Sequence, residues 1–394
     1  MADERDFLSE QRERFETFKG QALGGDTQST GESDEKADEQ IEKAKEASEK
    51  PVMAEEKEIG EGAESPKGPV GLDIGTSHIV AAQEKGTHIH AVKQLNAFFT
   101  VPKSKFSRSI LNKNQVMYYE RENLFYVIGY SAESFANMFN MNNRKPIKGG
   151  LLSSDEEEGL SVIQAIVNTL IRKPRNFGEP LCFVIPGEPF DGRDSVVYHE
   201  SVINRFIGGM GYSPISINEG MAVVMSELSA DDYTGIGISM GGGMCNVCLS
   251  YLSFPVITYS IQTAGDYVDS MTGRAVGEPA TKIKGIKEQE LDLTKEPQDR
   301  IMTALHIFYE ELIFRLLQSF QRVLTSTDKI PKISNPIPII LSGGTATPNG
   351  CRERFEKVLR SIKLPVEISG VRLAGDPLNA PAKGALIMAM TEAG

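Results

Sequence analysis

Apolar positions along the chain change their spacing abruptly, and the changes divide it. Between Gly24 and Gly68 the only large aliphatic side chains are Ile41, Val52, Met53 and Ile59, set among Glu, Lys, Ser and Gly. Such a stretch cannot bury enough surface to offset backbone entropy, so residues 1–68 read as a disordered leader. Within it Phe7, Leu8, Phe15, Phe18 and Leu23 recur at partly helical spacing. They predict a short amphipathic helix over 5–23, either a docking element for a protein partner or a transient helix in a solvated tail. At residue 68 the pattern switches. Residues 69–82 read as strand, tight glycine turn, strand, and residues 235–249 repeat that arrangement. A third glycine turn within 338–349 ends an apolar strand but leads into a helical pattern over 351–362, a strand-to-helix corner. Helical periodicity at 158–172 and 195–208, with a strand at 180–185 between them, predicts an α/β fold. The run Phe308, Leu312, 314–317, Phe320 and Val323 predicts a core helix.

The glycine turns carry the candidate chemistry. Glycine lets successive backbone N–H groups point into one concavity, and neighbouring hydroxyls add donors, which makes a nest for phosphate oxygens. One such turn is an ordinary hairpin closure; three in this order and separation point to a shared ligand. Asp73, one step before the first turn, would repel phosphate directly and is better placed to hold the waters of a bridging Mg²⁺; the plainer reading is a strand-end Asp capping a turn.

Composition narrows the partners. The 394 residues suffice for two to four domains. No apolar run reaches the roughly 18 residues of a membrane span, and the start has neither a basic nor an apolar signal region. A cytoplasmic, soluble protein without a transmembrane segment is expected. Four cysteines are too few for a disulfide scaffold. The net charge of −12 sits mainly in the leader: residues 1–68 hold 20 acidic against 10 basic side chains, the remaining 326 residues 34 against 32. No basic stripe marks a nucleic-acid partner.

With these motifs in order, residues 69–390 resemble the actin-like ATPase superfamily of actin, heat-shock chaperone ATPases, sugar kinases and bacterial actins. Residues 73–77 resemble the first phosphate motif, 217–222 the first connecting helix, 239–243 the second phosphate motif, 341–345 the adenosine motif, and 374–385 the second connecting helix. The wording of 260–269 and the Asp376-Pro-Leu segment are most similar to bacterial actins such as MreB and MamK. The resemblance implies an actin-like fold of two related RNase-H-like domains with a nucleotide cleft between them. It places domain I at 69–216, domain II at 217–373 and a connecting helix returning over 374–394. It implies binding of ATP with Mg²⁺, weak ATPase activity and self-association into filaments. Gly75, Thr76, Ser77, His78, Gly241, Gly242 and Gly243 would bind phosphate. Gly343, Gly344, Thr345 and Lys284 would contact adenosine, Asp73 would hold Mg²⁺ through water, and Glu219, held by Asn218, would orient the attacking water.

The chain also departs from that pattern. Ser239 and Met244 stand where the superfamily has Asp and Thr, and Thr281 stands where it has Glu. Only residues 266–298 remain for the fourth subdomain, which reads as reduced. Slow hydrolysis is therefore expected, or a non-hydrolysing actin-fold scaffold that recruits partners. A third reading, a small-molecule kinase with Asp266 as base, lacks the inserts that would wall a substrate pocket. The Cys245–Cys248 spacing lies within an expected strand without a second pair, and His88 and His90 lack further ligands, so neither is assigned a metal.

Overall fold

The computed structural model describes Pro66 and residues 68–393, except 139–142, 153–155, 157, 191–195, 328–329 and 334. The expected helix over 5–23 lies outside the described residues. The first half opens with a meander of β1 (Val70–Ile74), β2 (His78–Lys85) and β3 (His88–Leu95). A small sheet of β4 (Phe98–Pro102), β5 (Tyr118–Arg121) and β6 (Leu124–Ile128) follows, with α1 (Lys105–Lys113) and α2 (Tyr130–Met138). After a short hairpin of β7 (Ile147–Lys148) and β8 (Leu151–Leu152) come α3 (Gly159–Leu170), β9 (Pro180–Ile185), α4 (Val196–Gly209) and β10 (Ser213–Asn218). The second half runs α5 (Glu219–Glu227), β11 (Gly235–Met240), β12 (Cys245–Tyr251), β13 (Phe254–Ile261), α6 (Gly265–Val276), α7 (Ala280–Glu290), α8 (Arg300–Ser326), β14 (Ile337–Ser342), α9 (Cys351–Arg360), β15 (Ile368–Leu373) and α10 (Ala380–Ala393).

The halves share one plan. The first large sheet has the order β10-β9-β1-β2-β3 and the second β13-β12-β11-β14-β15. In each, three antiparallel strands are followed by two that run parallel to the first. β1 and β11 lie at the centre of these sheets with both faces covered, and their near-continuous apolar character follows from that. In α8 the carboxylate of Asp299 accepts from Met302 N as the N-cap, and Leu305, Phe308, Leu312, Leu316 and Phe320 form the buried stripe. Phe314 departs from the expected all-core run and is 39% exposed, because its position falls outside that stripe.

Two helices join the halves. α5 and α10 pack closely on each other, α5 on β11 and β12, α10 on β1 and β9. Small residues make the approach feasible: Ala222 of α5 with Ala380, Ala385 and Ala389 of α10 belong to a seam that also takes in Cys182, Cys248 and Ile340. Gly384 of α10 lies so near α5 that a Cβ there would stand 2.5 Å from the carbonyl carbon of Ala222. The cleft opens beside this seam, at the ends of the two central strands.

Candidate functional site

Three turns meet there. The first links β1 to β2, with Gly75 N donating to His78 O at 2.9 Å. Buried Asn96 clamps it, its Nδ2 donating to Gly75 O and its backbone N to Ser77 O, both at 2.9 Å. The second links β11 to β12, where Gly241 N donates to Met244 O at 2.9 Å. Its carbonyls are held from outside: Gly241 O accepts from Thr345 Oγ1 at 2.8 Å, Gly242 O from Asp266 N at 2.7 Å. The third follows β14, and Gly343 takes φ +87°, where a side chain would be strained and would run into the backbone of Met240. The first two turns touch across the cleft, since a Cβ on Gly242 would stand 2.6 Å from Ser77 Oγ. The cleft encloses about 470 Å³, within the range of small-ligand sites. All thirteen residues singled out from the sequence line it: Asp73, Gly75, Thr76, Ser77, His78, Glu219, Gly241, Gly242, Gly243, Lys284, Gly343, Gly344 and Thr345.

At its base Asp73 and Glu219 face each other. Burial, and then the nearby Glu219, hold the Asp73 carboxyl well above the usual carboxylate range. Burial pushes Glu219 up to about 7, against the opposing pull of a hydrogen bond from Ser239. Two confined carboxylates without a cation between them are each easier to protonate, and a bound cation would reverse the effect. The residue expected to hold Glu219 does something else. Asn218 caps α5, accepting from Gly220 N at 3.0 Å and Met221 N at 3.3 Å, because its backbone is extended at the first turn of the helix. Glu219 is held instead by Ser239 Oγ, donating to Oε1 at 2.7 Å, and by Asn246 Nδ2, donating to Oε2 at 2.5 Å. Ser239 thus fixes the carboxylate that its own position lacks. Met244, at the other departure, is 3% exposed and packs with Leu151 and Val196 of the first half.

Lysines from both halves line the cleft, with carboxylates beside them. His78 is lowered to about 4 by burial first and then by Lys284, Lys93 and Lys145, so it is neutral at pH 7. Lys284 therefore lies close enough to act across the cleft, and its Nζ is also 3.8 Å from Glu288 Oε1. Deeper in α7, the buried Lys287 donates to Asp269 Oδ2 at 2.9 Å and to Gly265 O at 3.3 Å. The expected base candidate Asp266 is ion-paired with Lys145 at 3.0 Å, which ties the two halves together. A second tie runs from Gly187 N to Asn246 Oδ1 at 2.8 Å, and a third from Ser260 Oγ to Gly187 O at 2.8 Å. Asn246 was legible only as a lone amide in an apolar strand. Asn96, Lys145 and Lys287 carry no local signal, since each acquires its partner through the fold. Cys245 and Cys248 are fully buried core residues.

A family model described as Volactin matches residues 69–389. No curated protein matches the chain. Among solved structures the chain is similar to the MamK double helical filament, at 19% identity and a TM-score of 0.62 over 82% of this chain and 98% of that one. It is also similar to MreB 5 of Spiroplasma citri bound to AMPPNP, at 15% identity and a TM-score of 0.60 over 84% and 98%. A third likeness is to the ethanolamine utilization protein EutJ from Carboxydothermus hydrogenoformans, at 16% identity and a TM-score of 0.50 over 83% and 92%. At these identities the likeness is one of fold, and the fold is actin-like, with two related α/β domains. Among the described residues no helix is long and apolar enough to cross a membrane.

Proposed function

The chain belongs to the Volactin family, and from its actin-like fold together with the cleft we propose that it is a cytoplasmic, actin-like cytoskeletal protein that binds ATP with Mg²⁺, polymerises, and hydrolyses ATP slowly. The observation that carries this reading is the convergence of three glycine turns, drawn from both halves, on one cleft with Asp73 and Glu219 at its base. Two of the similar structures add support, one being a MamK filament and the other an MreB 5 bound to AMPPNP. The domains implied are 69–216 and 217–373, with 374–394 crossing back.

The residues divide the work by chemistry. Backbone N–H groups around Gly75–Ser77 and Gly241–Gly243 offer donors to phosphate oxygens, and Thr76 and Ser77 add hydroxyls. Lys284 supplies charge in the cleft, and neutral His78 an N–H donor. Gly343–Thr345 shape the nucleoside end, although the Thr345 hydroxyl is committed to Gly241 O. Asp73 fits Mg²⁺ held through water, because its carboxylate lines the cleft beside the glycine turns and burial disfavours its charge there unless a cation offsets it. No group of three or more His, Cys, Asp or Glu forms a ligand set among the described residues, so phosphate and water would complete the shell. When bound, the ion would offset charge on the phosphates. Glu219, fixed by Ser239 and Asn246, would accept a hydrogen bond from a water placed against the terminal phosphate.

A second reading, a scaffold that binds nucleotide without turnover, is favoured by one feature: Met244 puts a thioether into interdomain packing where the superfamily has a hydroxyl. Calorimetry of ATP binding with and without Mg²⁺, on wild type and Asp73→Ala, tests the site. Affinity indifferent to both changes would overturn it. Sedimentation at high speed with ATP, ADP or no nucleotide tests polymerisation, and phosphate release in the same samples separates the two readings.

A further inference from the structure

The end of the first sheet at which the described chain begins is both basic and apolar. β1 and β9 run parallel with Val70 opposite Leu181, so the chain enters β1 beside the loop that enters β9. Pro66, just upstream, is buried. The loop entering β9 presents Arg172, Lys173 and Arg175, all exposed and without an ion pair among the described residues. Phe177 in the same loop is 93% exposed, more than any other large apolar side chain described. The loop is held in place, with Gly178 N donating to Gly211 O at 2.8 Å. Its one carboxylate, Glu179, accepts from Asn176 Nδ2 at 2.9 Å. Glu84 and Lys85, exposed at the nearby end of β2, offset each other. Here an uncovered aromatic ring and three cations without ion partners among the described residues stand on one loop, an arrangement that an acidic segment with aliphatic side chains would complement.

The chain immediately upstream has the complementary character. Residues 52–64 carry Glu55, Glu56, Glu58, Glu61 and Glu64 against Lys57 alone, with Val52, Met53 and Ile59 as their large apolar side chains. From Gly68 back to Ile59 the chain can span at most about 30 Å. That is ample for the loop beside it, and so short a tether holds the segment at an effective concentration of about a millimolar. We propose that residues 52–64 of the chain's own leader dock on the 172–177 loop, with glutamates against Arg172, Lys173 and Arg175 and aliphatic side chains on Phe177. This is independent of the nucleotide reading.

The test uses the full chain without nucleotide. The sequence has no tryptophan, so Phe177→Trp supplies a single indole whose quenching by acrylamide reports its cover. Docking predicts weak quenching at low salt. Quenching should rise when Glu55→Lys, Glu56→Lys and Glu58→Lys are added, which should shift the docked fraction by about tenfold. About 1 M NaCl, where the Debye length is ~3 Å, should act in the same direction. Adding Arg172→Glu, Lys173→Glu and Arg175→Glu to the reversed leader should restore the protection. Equal quenching with native and reversed leaders would overturn the proposal. Protection that disappears on dilution would also overturn it, by assigning the surface to another copy's leader.

Discussion

Replacing Gly384 by alanine tests whether the α5–α10 crossing holds the two halves together. Two effects oppose each other. Alanine is the better helix former by about 1 kcal/mol, so Gly384→Ala would stabilise the protein if α10 were free. The added Cβ, however, would stand 2.5 Å from the carbonyl carbon of Ala222 and 2.9 Å from its Cα. The Ala222 carbonyl oxygen would be closer still; carbon atoms pack at about 3.5–4.0 Å, so the helices must part by about 1.5 Å along a seam built from alanines. Overpacking of this kind costs about 1–3 kcal/mol and more where backbone meets backbone. Taking about 3 kcal/mol, the net is a loss of about 2 kcal/mol. Unfolding entropy of about 2.1 cal/mol/K per residue over some 326 residues gives about 0.7 kcal/mol/K, so the melting temperature should fall by about 3 °C. Gly285→Ala, in α7 where a Cβ would meet nothing within 4 Å, is the control and should raise it by about 1 °C. Calorimetric melting of both variants decides the matter. A Gly384→Ala protein that melts at or above wild type would refute the packing argument.

Between about pH 4.5 and 7 the protein should lose stability through Glu219. Its raised value means the proton is bound more tightly in the folded state, so stabilisation is complete below the unfolded value near 4.5 and is lost as pH rises through about 7. Asp73 is raised beside it and titrates with it, so melting curves of Glu219→Gln should fall less steeply with pH over that window; parallel curves for the two proteins would contradict the assignment. Ser239→Asp removes the hydrogen bond to Glu219 and sets a third carboxylate beside Asp73 and Glu219. It should lower the melting temperature without metal, and with Mg²⁺ should raise phosphate release by about one to three orders of magnitude; no gain would point to Met244. Deleting residues 1–51, which leaves the 52–64 segment in place, should move the melting temperature by less than about 1 °C, because that stretch has too little apolar surface to belong to a core; a large fall in a thermal scan would show otherwise.

The repeated strand, turn and strand at 69–82 and 235–249, the strand-to-helix corner near Gly343 and the core stripe of α8 follow from local periodicity and glycine placement, and they were legible in the sequence. So were the glycines and hydroxyls of the three cleft turns, because a glycine turn beside small hydroxyls is a local chemical pattern, whereas Glu219 and Lys284 came from the resemblance to the actin-like superfamily. Pairings made between distant segments were not. Asn218 reads as a partner for Glu219 by adjacency, yet at the start of a helix its side chain meets backbone N–H groups first, and only the packing of β12 against α5 brings Asn246 to that carboxylate. The same holds for Lys145 with Asp266, 121 residues apart in sequence, and for Lys287 with Asp269. Local sequence determined the turns and the elements, since backbone conformation depends on near neighbours. Tertiary structure decided which polar groups meet, because a buried charge takes whatever partner the packing of two sheets presents to it.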